Sequence, residues 1–277
     1  MQPPPPETSG RSSRSPVSVE PRLVTRLSIQ FQVIAALIVR NVMARYGRGN
    51  LGFLWLVVEP IFLVSGVMAV WTLLHRSGHG VPIAAFVFSS YIPLTLWRHL
   101  STAPRVLSGN FGLLYHRRIT VFDIMVARAL TDIAGVSSAG LVVYFLLLSV
   151  GALDWIADPS LVLTGWLLMC LFGFGVGCVT ASLSEKSEVI ENLIQPIQYL
   201  LLPISGIFFM VSWIPKKYQE YLLWVPMIHI YEIIRAGIFG KKISTHYDIN
   251  YILLWSVFVI FIGIMGINSS RKKLKTR

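Results

Sequence analysis

The chain alternates between long apolar runs and short polar segments along most of its length. A helix needs about 20 consecutive, predominantly apolar residues to cross a bilayer. Six runs reach that length, and charged or turn-forming residues separate them. We therefore predict six transmembrane helices, at about residues 51–74, 82–106, 124–153, 159–183, 192–214 and 249–270.

A shorter pattern precedes the first span. Residues 22–46 carry apolar side chains at helical spacing, with arginines and amides on the other face. The uncharged centre of this segment, residues 27–39, is too short to cross a membrane. We predict a basic amphipathic helix that lies in the membrane interface.

Residues 215–240 form an ambiguous element before the last span. The segment is apolar up to Tyr231 and then carries Glu232 and Arg235. If it crossed the membrane as a seventh span, the two termini would lie on opposite sides. We predict instead a re-entrant hairpin on the outer side, which must be covered by protein or line a cavity.

Composition agrees with a membrane protein, since 54% of the residues are hydrophobic and only 13% are charged. Soluble domains carry about 25% charged residues. The net charge of +11 comes mainly from the flanks of the predicted spans, and basic flanks stay in the cytoplasm. We predict an inner-membrane protein with both termini cytoplasmic and no nucleic-acid partner. Residues 1–21 are rich in Pro and Ser and predict a disordered cytoplasmic tail.

Several familiar patterns are excluded by their context. Gly47, Gly49 and Gly52 spell G-x-G-x-x-G, but an apolar span follows them instead of a βαβ unit. The sequence has no G-x4-G-K-[ST] motif, so any ATP that drives transport must bind another chain. Cys170 and Cys178 lie about 12 Å apart on a helix, too far for a disulfide. We predict no metal site.

Two features within the predicted spans have open interpretations. Glu59 is an ionisable group in the first span, which indicates either a functional role or a structural partner such as Arg98. Gly173 and Gly177 form a G-x3-G pattern in the fourth span. Such small residues let helices approach closely, either within one chain or at a dimer seam.

The first span and the hairpin carry a family resemblance. The motifs R-x4-R-Y and LGFLW-x3-EP, followed later by FFM-x-S-x-I-P and WVPMIHIYEIIR, resemble type-2 ABC export permeases of the capsular polysaccharide and O-antigen type. The resemblance places this transmembrane domain at about residues 31–269. It implies an all-α integral membrane protein that pairs with a second copy of itself and with two copies of a cytoplasmic ABC ATPase. In capsule systems it also implies a periplasmic adaptor and an outer-membrane exporter.

Three groups of candidate residues follow from the resemblance and from local chemistry. We expect the lipid phosphate of a lipid-linked polysaccharide to be held near the interface, because arginine binds phosphate bidentately; the residues are Arg40, Arg45, Arg48, Glu59 and Arg98. An outer gate is expected at Pro215, Pro226, His229, Glu232 and Arg235. Coupling to the ATPase is expected at Leu113, Leu114, Tyr115, Arg117, Glu185 and Glu188.

Each group also has a simpler interpretation. The arginines can serve topology alone, the loop with Leu113 can be an ordinary basic cytoplasmic loop, and Glu232 can pair with Arg235 to hold a short helix. We predict a permease subunit, without an ATP site or cofactor of its own, for lipid-linked capsular polysaccharide. An O-antigen or teichoic-acid-type polymer is the alternative cargo. A self-contained transporter or channel and a membrane enzyme on lipid-linked sugars are the alternative classes.

Overall fold

The computed structural model describes residues 23–46, 51–73, 80–103, 106, 108–114 and 119–274. This described part is helical and contains no β-strand. Its helices are α1 Leu23–Tyr46, α2 Leu51–Leu73, α3 Ile83–Ser101, α4 Phe111–Leu114, α5 Val121–Ser149, α6 Pro159–Ser184, α7 Glu188–Leu201, α8 Lys216–Leu222, α9 Pro226–Phe239 and α10 Ile249–Leu274.

Helix α6 is the centre of the bundle, because α3, α9 and α10 all pack against it. Glycines make these contacts close. A Cβ atom added to Gly177 would lie 2.2 Å from the backbone oxygen of Leu100 in α3, and one added to Gly173 would lie 3.0 Å from the Cβ of Leu100. The G-x3-G pattern is therefore used within the chain, at the α3–α6 contact.

The N-terminal end of α6 is fixed by its own cap and by α9. The side chain of Asp158 accepts hydrogen bonds from the Ser160 hydroxyl and from the backbone N–H groups of Ser160 and Leu161. These bonds, the Ser160 hydroxyl first, lower the pKa of Asp158. The backbone N–H of Asp158 donates to the carbonyl of Gly237 at 2.8 Å, which joins the start of α6 to α9.

Three helices of the described part are long and apolar enough to cross a membrane: Val121–Ser149, Pro159–Ser184 and Ile249–Ser269. The pair Lys216–Leu222 and Pro226–Lys242 passes the same test only when taken together, and it is bent by 111°. Such a bend is found in a broken span or in a re-entrant loop. The six-span count therefore stays a prediction.

The apolar run at 192–214 is not one continuous helix. Helix α7 ends at Leu201, a 3₁₀ turn follows at Leu202–Ile204, and a second 3₁₀ turn lies at Val211–Trp213. Pro203 cannot continue the hydrogen-bond ladder of α7. Gly206 has a φ of 89°, which a residue with a side chain rarely adopts, and the chain turns there.

Helix α1 forms where the amphipathic pattern predicts a helix. The residues that contact the bundle, however, are not those of the predicted apolar face alone. Leu37 is buried in a small apolar cluster with residues of α5 and α6, and Ile34 packs on that cluster. Gln30, which the pattern places on the polar face, instead donates a hydrogen bond to Asp123 of α5. Phe31, Val39 and Met43 are exposed. Helix α1 therefore buries one part of its apolar surface against the bundle and leaves another part exposed.

Candidate functional site

Two polar clusters stand out in the described part of the helical bundle. The first is centred on Glu232 in α9, whose side chain is fully buried. One carboxylate oxygen accepts from the backbone N–H of Val211 at 3.2 Å, and the other accepts from the N–H of His246 at 3.0 Å. The Arg235 guanidinium lies 3.7 Å away on the same helical face, as the i, i+3 spacing predicts.

Arg235 is also fully buried, and it organises the chain that follows the break in α7. Its guanidinium donates to the carbonyl oxygens of Phe209 at 2.7 Å and Ile207 at 3.1 Å, and to the Ser90 hydroxyl at 2.9 Å. It also lies over the ring of Phe86, 4.8 Å from the centroid. One side chain thus connects α3, α9 and the non-helical segment between α7 and α8.

His229 completes this cluster with two hydrogen bonds of opposite sense. Its Nδ1 accepts from the backbone N–H of Asp248 at 2.9 Å, so that nitrogen carries no proton. Its Nε2 lies 2.8 Å from the carbonyl oxygen of Leu223 and must donate to it. The neutral Nε2–H form of His229 therefore links α9 to the segments on both sides of it.

The residues predicted for the outer gate lie at helix starts or in the buried cluster around Glu232. Pro215 precedes α8 and Pro226 is the first residue of α9, so both mark helix starts. His229, Glu232 and Arg235 are buried among backbone partners and do not line an open surface of the single chain. The cluster as described anchors a bent helix pair.

The second cluster joins α1, the segment 108–114 and α5. The Arg40 guanidinium donates to the Asn110 side-chain oxygen at 2.7 Å, across 70 residues of sequence. The Asn110 amide nitrogen in turn donates to the carbonyl of Val106 at 2.8 Å. Arg40, Asn110 and Arg128 line one cavity of about 230 Å³, with Asn41, Ala44, Val106 and Ile124. We call this cavity the basic pocket.

Arg128 is oriented by a backbone carbonyl and by a carboxylate. Its guanidinium donates to the carbonyl of Thr102 at 2.5 Å, and its Nε lies 3.7 Å from the Asp132 carboxylate. Asp132 is 1% exposed, and His99 of α3 lies 3.5 Å from its other oxygen. The sequence analysis did not identify Asp132 or Arg128. Their i, i+4 spacing at the polar start of the third apolar run is the signal that indicates a pair.

The residues predicted to hold the lipid phosphate do not all converge. Arg40 lines the basic pocket, whereas Glu59 is partly buried in α2 and Arg98 is partly buried in the last turn of α3. No ion pair joins Glu59 to Arg98 among the described side chains, so the structural pairing considered for them is not formed. Arg45 lies in α1, with its side chain outside the described residues, as is the whole of Arg48.

The predicted coupling residues are only partly described. Leu113 is partly buried and packs on the small apolar cluster below α1, so it is not a freely exposed apolar knob. Leu114 lies in α4, but its side chain is outside the described residues, as are Tyr115 and Arg117 entirely. Glu185 caps α6, and Glu188 is the first residue of α7.

Helix α7 carries a polar stripe that the sequence analysis did not single out. Only Ile194 of its 14 residues is buried. Acids and amides recur at helical spacing along the stripe, at Glu188, Glu191, Asn192, Gln195 and Gln198. Several of them line a cavity of about 470 Å³ together with Thr102, whose hydroxyl donates to the Gln198 side-chain oxygen at 2.9 Å. A polar stripe at this position gives a hydroxyl-rich ligand many hydrogen-bonding partners.

The described part contains no group of three or more His, Cys, Asp and Glu side chains arranged to hold a metal ion. The two buried cysteines are unpaired, as their spacing predicts.

Comparison with known proteins gives the family. Residues 32–239 match the family described as ABC-2 type transporter. The chain is 36% identical over 248 residues to the capsule polysaccharide export inner-membrane protein CtrC of Neisseria meningitidis serogroup B, covering 89% of this chain and 94% of that protein. It is 33% identical over 251 residues to the corresponding protein BexB of Haemophilus influenzae, covering 90% and 95%. It is 28% identical over 252 residues to the polysialic acid transport protein KpsM of Escherichia coli, covering 85% and 92%. The chain therefore belongs to the ABC-2 type transporter family.

Proposed function

We propose that this chain is the membrane permease subunit of an ATP-driven exporter that moves capsular polysaccharide across the inner membrane. The observation that carries the proposal is similarity to capsule export permeases over 85–90% of the chain and 92–95% of those proteins. The helical bundle with long apolar helices fits a membrane permease. The family resemblance in the hairpin motifs supports the same conclusion.

The energy source is proposed to lie on a separate chain. The sequence contains no phosphate-binding loop of the G-x4-G-K-[ST] type. We propose that two cytoplasmic ATPase subunits bind ATP and Mg²⁺, and that they contact the segment 108–114 and the turn that contains Glu185. In capsule systems a periplasmic adaptor and an outer-membrane exporter would receive the polymer.

A second copy of the chain is proposed to complete the polymer path. One chain packs most of its helices around α6 and leaves α7 with few contacts. The polar stripe of α7 supplies hydrogen-bonding groups for glycan hydroxyls, and two such stripes facing each other would form a channel wall. The anchored α8–α9 pair would close the outer end of this channel, with its buried charge cluster keeping the pair in place.

The experiment that tests the function is a two-component export assay. A deletion strain of the source bacterium is complemented with this gene, and surface and internal polysaccharide are measured separately. We expect surface polymer to return only with an ATPase partner whose phosphate-binding lysine is intact. Polymer transfer by the purified chain in vesicles, without ATP or a partner, would instead identify a self-contained transporter. Chemical change in a labelled lipid-linked sugar would identify an enzyme.

The topology gives a separate prediction. With six spans and a re-entrant α8–α9 pair, tags at both ends are expected to react with labelling reagents only after the inner membrane is opened. A cysteine introduced next to Trp155, which is exposed in the acidic loop between α5 and α6, should react in intact spheroplasts. A C-terminal tag that reacts in intact spheroplasts would show that α8–α9 crosses the membrane as a seventh span.

A further inference from the structure

An apolar cavity of about 370 Å³ opens between α5 and α6. Both helices are long and apolar enough to cross a membrane, yet they make few contacts with each other. Leu141 and Phe145 of α5 and Leu163 of α6 line the cavity and are each 58% exposed, so they form its rim. We call this cavity the lateral crevice.

Buried residues of two further helices form the floor of the lateral crevice. Ile92 of α3 and Ile234 and Ile238 of α9 line it, and each of them is at most 7% exposed. The crevice therefore reaches from the surface of the bundle to α9, the helix that carries Glu232 and Arg235.

The polar groups of the lateral crevice bond within the protein. The Trp166 indole N–H donates to the Ser137 hydroxyl at 3.0 Å, and the Tyr144 hydroxyl accepts from the backbone N–H of Ile156 at 3.3 Å. The Ser89 hydroxyl donates to a carbonyl of its own helix. None of the described residues that line the crevice is charged. A polar ligand would gain little there, whereas an apolar chain gives up no hydrogen bond.

We propose that the lateral crevice binds one acyl chain of a membrane lipid. Its rim lies on two membrane-spanning helices, so the hydrocarbon of the bilayer is what meets its mouth. An unfilled void deprives the lining residues of dispersion contacts, and an acyl chain restores them. The cavity also falls within the range of about 300–1,000 Å³ that is usual for small-molecule sites.

A chain in the crevice would pack directly on α9. Ile234 adjoins Arg235 in sequence, and Ile238 lies one turn further along the same face. Beside the crevice, α9 already touches α6 closely, since a Cβ atom added to Gly165 would lie 2.6 Å from the Cγ1 of Ile234. The lipid chain therefore extends the support of the bent α8–α9 pair from protein to membrane. This inference goes beyond the proposed function and does not depend on the cargo.

The test labels the crevice with a lipid. The full chain is placed in nanodiscs of phosphatidylcholine, a small fraction of which carries a photoreactive diazirine near the end of one acyl chain. After irradiation, labelled residues are identified by mass spectrometry. Lipid around the protein reaches exposed side chains such as Phe258 of α10. We expect label also on Ile92, Ile234 and Ile238, which only a chain inside the crevice reaches.

Two substitutions at the rim should close the crevice without disturbing the core. Leu141→Trp and Leu163→Trp place a larger side chain at its mouth, and because both positions are exposed, the unfolding midpoint should stay unchanged. Each variant should lose most of the label on the floor and keep the label on Phe258. Leu167→Trp is the matched control, since Leu167 is exposed about one turn further along α6 and does not line the crevice. It should be labelled like the unmodified chain.

Label on Phe258 without label on the floor would overturn the proposal, because the crevice is then closed to lipid. Floor label that stays unchanged in both Leu141→Trp and Leu163→Trp would overturn it too. A photoreactive amino acid at position 163, irradiated in cell membranes, distinguishes lipid from protein as the occupant. Crosslinks to lipid support the site, whereas crosslinks to another polypeptide would show that a second chain covers the crevice and would overturn the proposal.

Discussion

Replacing Arg235 with alanine is expected to remove most of the folded protein from the membrane. The substitution leaves the fully buried Glu232 carboxylate without its cationic partner. It also leaves the carbonyls of Phe209 and Ile207 and the Ser90 hydroxyl without their donor. Removing one partner of a buried pair costs about 3–5 kcal/mol. Since a typical domain is stable by only about 5–15 kcal/mol, this loss is a large fraction of the total.

A double-mutant cycle tests whether the pair acts as one unit. Glu232→Gln keeps the shape of the side chain and removes its charge, and Arg235→Met keeps most of the volume of the arginine. Combining the two should cost less than the sum of the single substitutions, because neither charge is then left alone in the interior. The measurement is the unfolding midpoint in detergent together with the amount of protein in the membrane fraction. Strictly additive losses would show that Glu232 and Arg235 act independently.

The Lys242–Asp154 pair is the matched control. Its charged atoms lie 3.2 Å apart, closer than those of Glu232 and Arg235, but both side chains are mostly exposed. Exposed pairs contribute about 0–1 kcal/mol because water screens the charges. Lys242→Ala should therefore leave the unfolding midpoint nearly unchanged. A loss as large as that of Arg235→Ala would contradict the argument that burial, and not proximity, sets the cost.

The sequence allowed the helical elements to be predicted with different success along the chain. Long uncharged runs predict α5, α6 and α10 well, because a helix that contacts lipid must be apolar over its full length. The run at 192–214 was predicted as one span because its residues are uncharged. Pro203 and Gly206 end the helix there, and the segment that follows is covered by α3 and α9 instead of forming a helix.

In the polar clusters, too, the sequence predicts only the contacts between residues that lie close together in the chain. The Glu232–Arg235 pair could be predicted because both residues lie on one helix at a fixed spacing. Their remaining partners come from Ser90, from the carbonyls between α7 and α8, and from His246, and no local pattern places these groups together. The Arg40–Asn110 bond likewise depends on how α1 lies against α5. Arg128 and Asp132 have an i, i+4 spacing that indicates a pair. The long apolar run that follows them was interpreted only as a membrane span, so the pair was not predicted.

Replacing Gly177 with alanine is expected to separate α3 from α6 and destabilise the centre of the bundle. The added Cβ would lie 2.2 Å from the backbone oxygen of Leu100, and a carbonyl in a helix cannot move aside as a flexible side chain can. A hydrogen bond joins the same two helices nearby, since the Thr180 hydroxyl of α6 donates to the carbonyl of Ser101 in α3 at 2.7 Å. Forcing α3 outward would weaken that bond too. Overpacking of this kind costs about 1–3 kcal/mol.

Gly66→Ala in α2 is the matched control, because an added Cβ there meets nothing within 4 Å. Alanine favours a helix over glycine by up to about 1 kcal/mol, so this variant should unfold at the same temperature or slightly higher. The two variants add the same methyl group to a helical glycine and differ in whether a neighbouring helix occupies the space. Unfolding midpoints of the purified proteins in detergent, with crosslinking to count copies, provide the comparison. If Gly177→Ala keeps the midpoint of the unmodified protein and instead loses the crosslinked dimer, Gly177 lies at the contact between two chains and not at the α3–α6 contact.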